Sequence, residues 1–400
     1  MTPLDAPSSS PISWPADPVA AVVHADPYPY YASLLAAAPL VFEPRLKLWI
    51  AARADAVDAV LREPRLCVRP AQEPVPATIA AGSAGDVFSH LVRMNDGDSH
   101  AAPKLALQRA LGSVDMARVD QGVMSVIANW PVPRSAKGLS AWASALPVSV
   151  LASLLGFPEA EWPRVTAWMS DFVACLSPLS NAAQIASAHA AAHQLMVSMK
   201  TLLDESAANP SSLVATVATE ARSVGWDRAD AILANLIGLM SQTHDATAGL
   251  IGNAIVALSL REPLRRELST DAARIHAFID EVARYDPSVQ NTRRFAGGDA
   301  DVCGVHLHAG DAVLVVLAAA NRDPAVNPMP HDFLLDRPQR KVFTFGHARH
   351  QCPGQTLACR IAAMATRAVL GEPASVLDTP LAWRYRPSAN GRIPAFIDPE

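Results

Sequence analysis

The stretch Phe345-Gly346-His347-Ala348-Arg349-His350-Gln351-Cys352-Pro353-Gly354 puts one cysteine in a basic, glycine-flanked loop, and an apolar run from Leu357 to Leu370 follows as a predicted helix. A thiol there lies close to a helix N-terminus and to several positive or potentially positive side chains. Both influences lower its pKa and favour the thiolate, the form that binds metals. No second cysteine, histidine or carboxylate stands at a spacing that completes a four-ligand zinc site, so a single-thiolate metal complex fits better. The alternative is a buried structural cysteine.

A heme iron takes one protein ligand on its proximal side, and a thiolate in that place favours oxygen–oxygen cleavage. The loop resembles the heme-binding signature of the cytochrome P450 family, Phe-Gly-x-Gly-x-His/Arg-x-Cys-x-Gly. Phe345, Gly346, His350, Cys352 and Gly354 match it, with Cys352 as the metal ligand the resemblance implies. Ala348 stands where the second glycine is usual. If that position needs φ > 0, alanine is strained there by roughly 1 kcal/mol.

Four hundred residues can bury a large core. Half of them are hydrophobic, yet no run approaches the ~20 apolar residues that span a bilayer. Met1–Pro15 carries neither a basic nor an apolar leader region, so the expectation is a cytoplasmic protein with no membrane partner. Cys67, Cys175, Cys303, Cys352 and Cys359 form no framework and read as reduced thiols. A net charge of −5 without long basic runs argues against nucleic acid. Lys341, Arg349 and Arg360 gather around the cysteine loop, as a solvated surface or as a docking patch for an acidic electron-transfer protein.

Helical patterns dominate: Pro29–Ala37, Ala54–Leu61, His100–Leu111, Val114–Asn129, Ser144–Leu155, Glu161–Cys175, Ala183–Ser206, Asp227–Leu260, Asp271–Tyr285 and Leu357–Leu370. Short strands are predicted at Val41–Phe42, Leu48–Ala51, Thr292–Phe295, Val302–Leu307 and Ala312–Val316. This is a mainly α chain with a small β region. The resemblance implies a single P450-type heme domain over 26–400 after an N-terminal extension, 1–25. Asp227–Leu260, far longer than the ~12-residue average helix, would cross the distal face of the heme.

The resemblance also assigns side chains. Glu281 and Arg284, at i and i+3, match the family's Glu-x-x-Arg, with Arg337 the third, structural member. The heme, iron protoporphyrin IX (heme b), carries two propionates that need cationic or donor partners when buried. His100, Lys104, Arg294 and His350 match the family positions for them. On the long helix, Ser241-Gln242-Thr243-His244-Asp245-Ala246-Thr247 aligns with Ala/Gly-Gly-x-Asp/Glu-Thr. The acid is Asp245, but the threonine that members use for proton delivery is Ala246. Thr247 could take that role only through a register slip, which turns a side chain by about 100°. Gln242 and Thr243 lie one turn before Ala246, so one of them, or a substrate hydroxyl, is expected to hold the water for proton delivery. The substrate would meet the loop Val87–Met94, the helix pair around Phe172–Leu179, Leu239, Gln242, Thr243 and Ala246, the segment Ser288–Asn291 with Val289 and Asn291, and the turn near Asn390.

These residues imply a soluble, bacterial-type heme-thiolate monooxygenase acting with O2 on a small or mid-sized apolar organic molecule of secondary metabolism. It would be a monomer, taking electrons from a separate ferredoxin-type donor with its reductase. The nearest alternative is a peroxygenase, dehydratase or isomerase that needs no O2 activation. A non-catalytic partner protein of the same fold is the alternative of another class.

Overall fold

A 32-residue helix, Ala229–Leu260, runs through the core. Apolar residues cover nearly its whole circumference, so it has no solvent stripe and is buried almost throughout. Gly238 and Gly249 allow close approach. A Cβ at Gly238 would lie 2.8 Å from Leu91 Cδ2, and one at Gly249 would lie 2.6 Å from Ser288 Cβ. The computed structural model describes residues 14–372 and 376–398. The reading of Met1–Pro15 falls, up to residue 13, outside them.

Helix Ala136–Leu155 packs on the long helix and on Met116–Asn129. It starts eight residues before the predicted Ser144, where Ser135 accepts from Gly138 N, and stops at Gly156, φ 107°. With 20 residues and a mean hydropathy of 1.6, it corrects the expectation that no run reaches bilayer length. Its apolarity is that of a core element: 72% of that stretch is buried inside the molecule.

The remaining predicted helices form with ends shifted by a few residues, and four more appear among the described residues: Ser83–His90, Leu213–Ser223, Glu262–Thr270 and the short Leu317–Ala320. Ser83-Ala84-Gly85-Asp86 reads as a turn in sequence. It becomes helical because Ala84, Val87 and Phe88 are buried against the long helix and Ala182–Asp204. The predicted loop Val87–Met94 is therefore the end of a helix followed by a 3-10 turn, Val92–Met94.

The main sheet comprises β1 (Leu40–Glu43), β2 (Leu48–Ala51), β3 (Leu66–Cys67), β4 (Thr292–Ala296) and β7 (Ala312–Val315), in the order β1-β2-β7-β4-β3. Only β2 and β7 are parallel. Period-two alternation on β4 turns Arg294 inward and Arg293 outward. The single strand predicted at Val302–Leu307 is instead a hairpin of β5 (Ala300–Val302) and β6 (Val305–Leu307). Cys303 and Gly304 both have positive φ, 51° and 78°, the geometry of a tight two-residue hairpin turn. A further hairpin pairs β8 (Ala382–Tyr385) with β9 (Pro394–Ile397).

Arg392, 2% exposed, donates to the carbonyls of Val22, His24 and Ala25 and to Asp286 Oδ1 at 2.8 Å. Residues 20–25, predicted as part of an extension, are thereby fastened to the body of the fold.

Candidate active site

The cysteine loop hangs from the end of helix Ile275–Tyr285 through Asn321 and Thr344. Asn321 Oδ1 accepts from Phe343 N at 2.6 Å, its Nδ2 donates to Thr344 Oγ1 at 2.8 Å, and Thr344 Oγ1 donates to Ala283 O at 2.7 Å. Beneath lies a charge network. Glu281 Oε1 is 2.6 Å from Arg284 Nη2 and 3.2 Å from Arg337 Nη2, and Oε2 is 3.0 Å from Arg340 Nε. Arg284 also donates to the carbonyls of Pro330 and Asp332 at 2.9 Å. Glu281, Arg284 and Arg337 are buried. The sequence pointed to those three; Arg340, three residues after Arg337, was missed.

Within the loop, Gly346 N donates to Phe343 O at 2.8 Å and Cys352 N to Phe345 O at 2.7 Å. Gly346 has φ 69°, and a Cβ there would sit 3.1 Å from His350 O. Ala348 has φ 54°, so the alanine does occupy the left-handed region. Ala348→Gly is expected to raise the unfolding free energy by about 1 kcal/mol in denaturant titration. No gain would mean that the loop has relaxed around the Cβ.

The expected thiolate-favouring field is weaker than sequence neighbours suggest. Burial pushes the Cys352 thiol up, and only the Gly354 N–H and Lys104 pull it down. Arg349 and His350 turn instead to Asp96, whose Oδ1 lies 3.4 Å from Arg349 Nε and 2.9 Å from His350 Nε2. Burial would raise the Asp96 carboxyl, but His350, the Val68 N–H and Arg349 outweigh it and hold it well below the usual range. A coordinated metal supplies the charge that deprotonates a ligating thiol outright.

The four expected propionate partners converge near this loop. The His100 and His350 rings meet with centroids 4.2 Å apart, tilted by 46°. Lys104 Nζ contacts the Gln351 carbonyl. Burial, then the charges of His350 and Lys104, push His100 down to about 4, so at neutral pH it is a neutral donor. Arg294 is 4% exposed, and its Nε is buried without a hydrogen-bond partner among the described residues. Burial, then the charge of Arg349, lowers it to about 10. A buried guanidinium with an unpartnered Nε, on the same side of the fold as a loop with one cysteine and two further donors, suits a group with one soft ligand position and two carboxylates.

On the long helix, residues 241–247 are helical throughout. Thr243 Oγ1 donates to Leu239 O at 2.8 Å and Gln242 Nε2 to Gly238 O at 3.0 Å, while Ser288 Oγ donates to Ala246 O at 2.7 Å. Thr247 is buried. The Asp245 side chain is half exposed, its Oδ1 lying 3.0 Å from both His244 Nδ1 and Arg386 Nη2. Its burial would raise the carboxyl; His244 and Arg386 outweigh that and lower it. Both partners were missed in the sequence, although His244 adjoins the acid. Asn291 Nδ2 is spent on Ala389 O at 3.0 Å, Val289 bridges Gly391, and Leu179 is 66% exposed on the surface. Arg360 is paired with Asp120 and Arg349 with Asp96, so of the expected docking cations only Lys341 lies outside an ion pair among the described residues.

The family model described as Cytochrome P450 matches residues 273–370, which hold both the charge network and the cysteine loop. Cytochrome P450 monooxygenase PikC of Streptomyces venezuelae is 29% identical, over 92% of this chain and 89% of that relative. The chain belongs to the cytochrome P450 family. A second relative of this P450, 20-oxo-5-O-mycaminosyltylactone 23-monooxygenase of Streptomyces fradiae, is 26% identical over 90% and 84% of the two chains. The biotin biosynthesis cytochrome P450 of Bacillus subtilis (strain 168) is 27% identical over 62% of this chain and 63% of its own length. Among solved structures, CalO2 superposes with a TM-score of 0.80 at 23% identity, covering 93% and 94% of the two chains. The P450 is thus a heme-dependent monooxygenase of the oxidoreductase class.

Proposed function

We propose that this P450 inserts one oxygen atom from O2 into a small or mid-sized, largely apolar molecule of secondary metabolism, with electrons from a separate ferredoxin-type donor and reductase, in the cytoplasm. Residues 26–400 would form the heme domain, with Cys352 holding the iron and Arg294, Lys104, His100 and His350 holding the propionates. When bound, heme supplies the redox chemistry that cleaves the oxygen–oxygen bond.

The observation that carries the proton-delivery reading is Ala246, which has no hydroxyl at the usual position. Its nearest polar neighbours one turn back are Gln242 and Thr243. Each donates to a helix carbonyl, which leaves Gln242 Oε1 and the lone pairs of Thr243 Oγ1 able to accept from a water. Asp245, half exposed and held between His244 and Arg386, would pass protons inward from solvent. Leu239, Gln242, Val289 and Asn291 would border the substrate. Gln242→Ala or Thr243→Ala is expected to cut the fraction of reductant that appears as product by at least about three-fold, with reductant consumption less affected. Unchanged coupling in both variants would sink this route.

Ala246 also favours a second reading, in which peroxide or no oxidant at all is used. Product formation with peroxide alone, outpacing that with NADH, ferredoxin and reductase, would move the assignment there.

A further inference from the structure

The segment Val92–Asp96 crosses from the long helix to the cysteine loop. At one end, Val92 N donates to Asn235 Oδ1 at 2.8 Å and Leu91 packs on Gly238. At the other, Asp96 holds His350. Arg93 lies between these anchors in the chain, next to Val92 and three residues before Asp96. Arg93 is half-buried, its Nε is buried without a partner, and its guanidinium makes no hydrogen bond or ion pair among the described residues. The polar neighbours are already spent. Asn235 Nδ2 donates to the His90 and Ala231 carbonyls, Asn95 Nδ2 donates to those of Ser89 and Leu91, and Asn95 Oδ1 accepts from Arg69.

A half-buried guanidinium with a buried, unpartnered Nε is costly until an anion meets it. Two anions are available in principle: a heme propionate or the substrate. The propionate cluster perturbs its own members, since Arg294, Arg349, His350, Asp96 and Lys104 shift one another or their neighbours, whereas Arg93 responds to burial alone. Arg93 has no ion pair with that cluster among the described residues, and its chain neighbour Val92 is held by Asn235 of the long helix. The two propionates already have Arg294 and Lys104 to balance them.

We propose that Arg93 receives a carboxylate of the substrate, so that this P450 acts on an organic acid with an apolar body. This rests on the substrate lying between the long helix and the cysteine loop. The planar guanidinium offers a bidentate fork to the carboxylate, fixing which end of the molecule lies deep. The apolar remainder would then extend past Leu239 and Gln242.

The test uses the heme-loaded enzyme and a panel of straight-chain and aromatic carboxylic acids, each with its primary amide, titrated by the low- to high-spin absorption shift. At least one acid is expected to bind about ten- to a hundred-fold more tightly than its amide. In Arg93→Gln that preference collapses to within about two-fold while the heme content stays at the wild-type level. Arg93→Lys keeps part of the preference, as a point charge without the fork. Equal binding of every acid and its amide in the wild-type enzyme overturns the proposal, and so does a preference that survives Arg93→Gln. Loss of heme from both Arg93 variants would instead assign the residue to a propionate. The monooxygenase reading is judged separately, by the reduced carbon monoxide spectrum and by coupling with neutral compounds.

Discussion

Cys352→Ser is expected to leave the fold in place but lower turnover by at least about a thousand-fold. The loop is held by backbone and remote contacts that the substitution does not touch: Cys352 N to Phe345 O, Gly346 N to Phe343 O, and Asn321 to Phe343 and Thr344. What disappears is the sulfur. A serine hydroxyl ionises too weakly at neutral pH to replace a thiolate, whereas a thiol deprotonates on coordination. The check is the absorption of the reduced protein under carbon monoxide. The wild-type enzyme should show the thiolate-type Soret band and the variant should lose it. A histidine-type band in the wild-type enzyme, or an unmoved band in Cys352→Ser, would refute Cys352 as ligand.

Glu281→Gln is expected to cost about 3–5 kcal/mol, because it leaves the buried guanidinium groups of Arg284 and Arg337 without their counter-charge. Against a total stability of about 5–15 kcal/mol, that is a large share. The cysteine loop would suffer with it, since Arg284 also donates to the Asn321 carbonyl. Burial would raise the Glu281 carboxyl, but Arg284, the Leu334 N–H and Arg337 outweigh it and lower it. A carboxyl depressed by folding stabilises fully above its unfolded value, about 4.3, and loses that contribution as pH falls through the folded value. Urea unfolding at pH 7 and again toward pH 3 should therefore show a gap between wild-type and Glu281→Gln that narrows as the solution is acidified below about 4.3. A gap below about 1 kcal/mol at pH 7 would reduce the network to geometry without energetic weight.

The sequence revealed what is local. The cysteine loop, the Glu281/Arg284 pair and the long apolar helix each carry their signal within one turn or one short segment. Partners far apart in the chain were invisible. Asp96, which meets His350 across 254 positions, and Arg386, which meets Asp245 across 141, sit in unremarkable segments and acquire meaning only when the fold brings them in. The same blindness misjudged the cysteine. Arg349 and His350 are its neighbours in sequence, yet their charge is directed to Asp96 and not to the sulfur. Ser83–His90 was missed because its small and turn-forming residues argue against a helix until burial against two others decides for it.

Arg392 has a consequence for how the chain assembles. Its bond to the Val22 carbonyl closes a loop of 370 residues, among the longest sequence separations in the molecule. Loop-closure entropy grows only logarithmically with length, so such a clasp is thermodynamically inexpensive but kinetically late. The segment Ala20–Ala25 cannot settle until the β8–β9 hairpin region is in place. Removing residues up to 25 would expose the problem from the other side, leaving the buried guanidinium with the Asp286 carboxylate and the Tyr385 ring but without its three carbonyl acceptors.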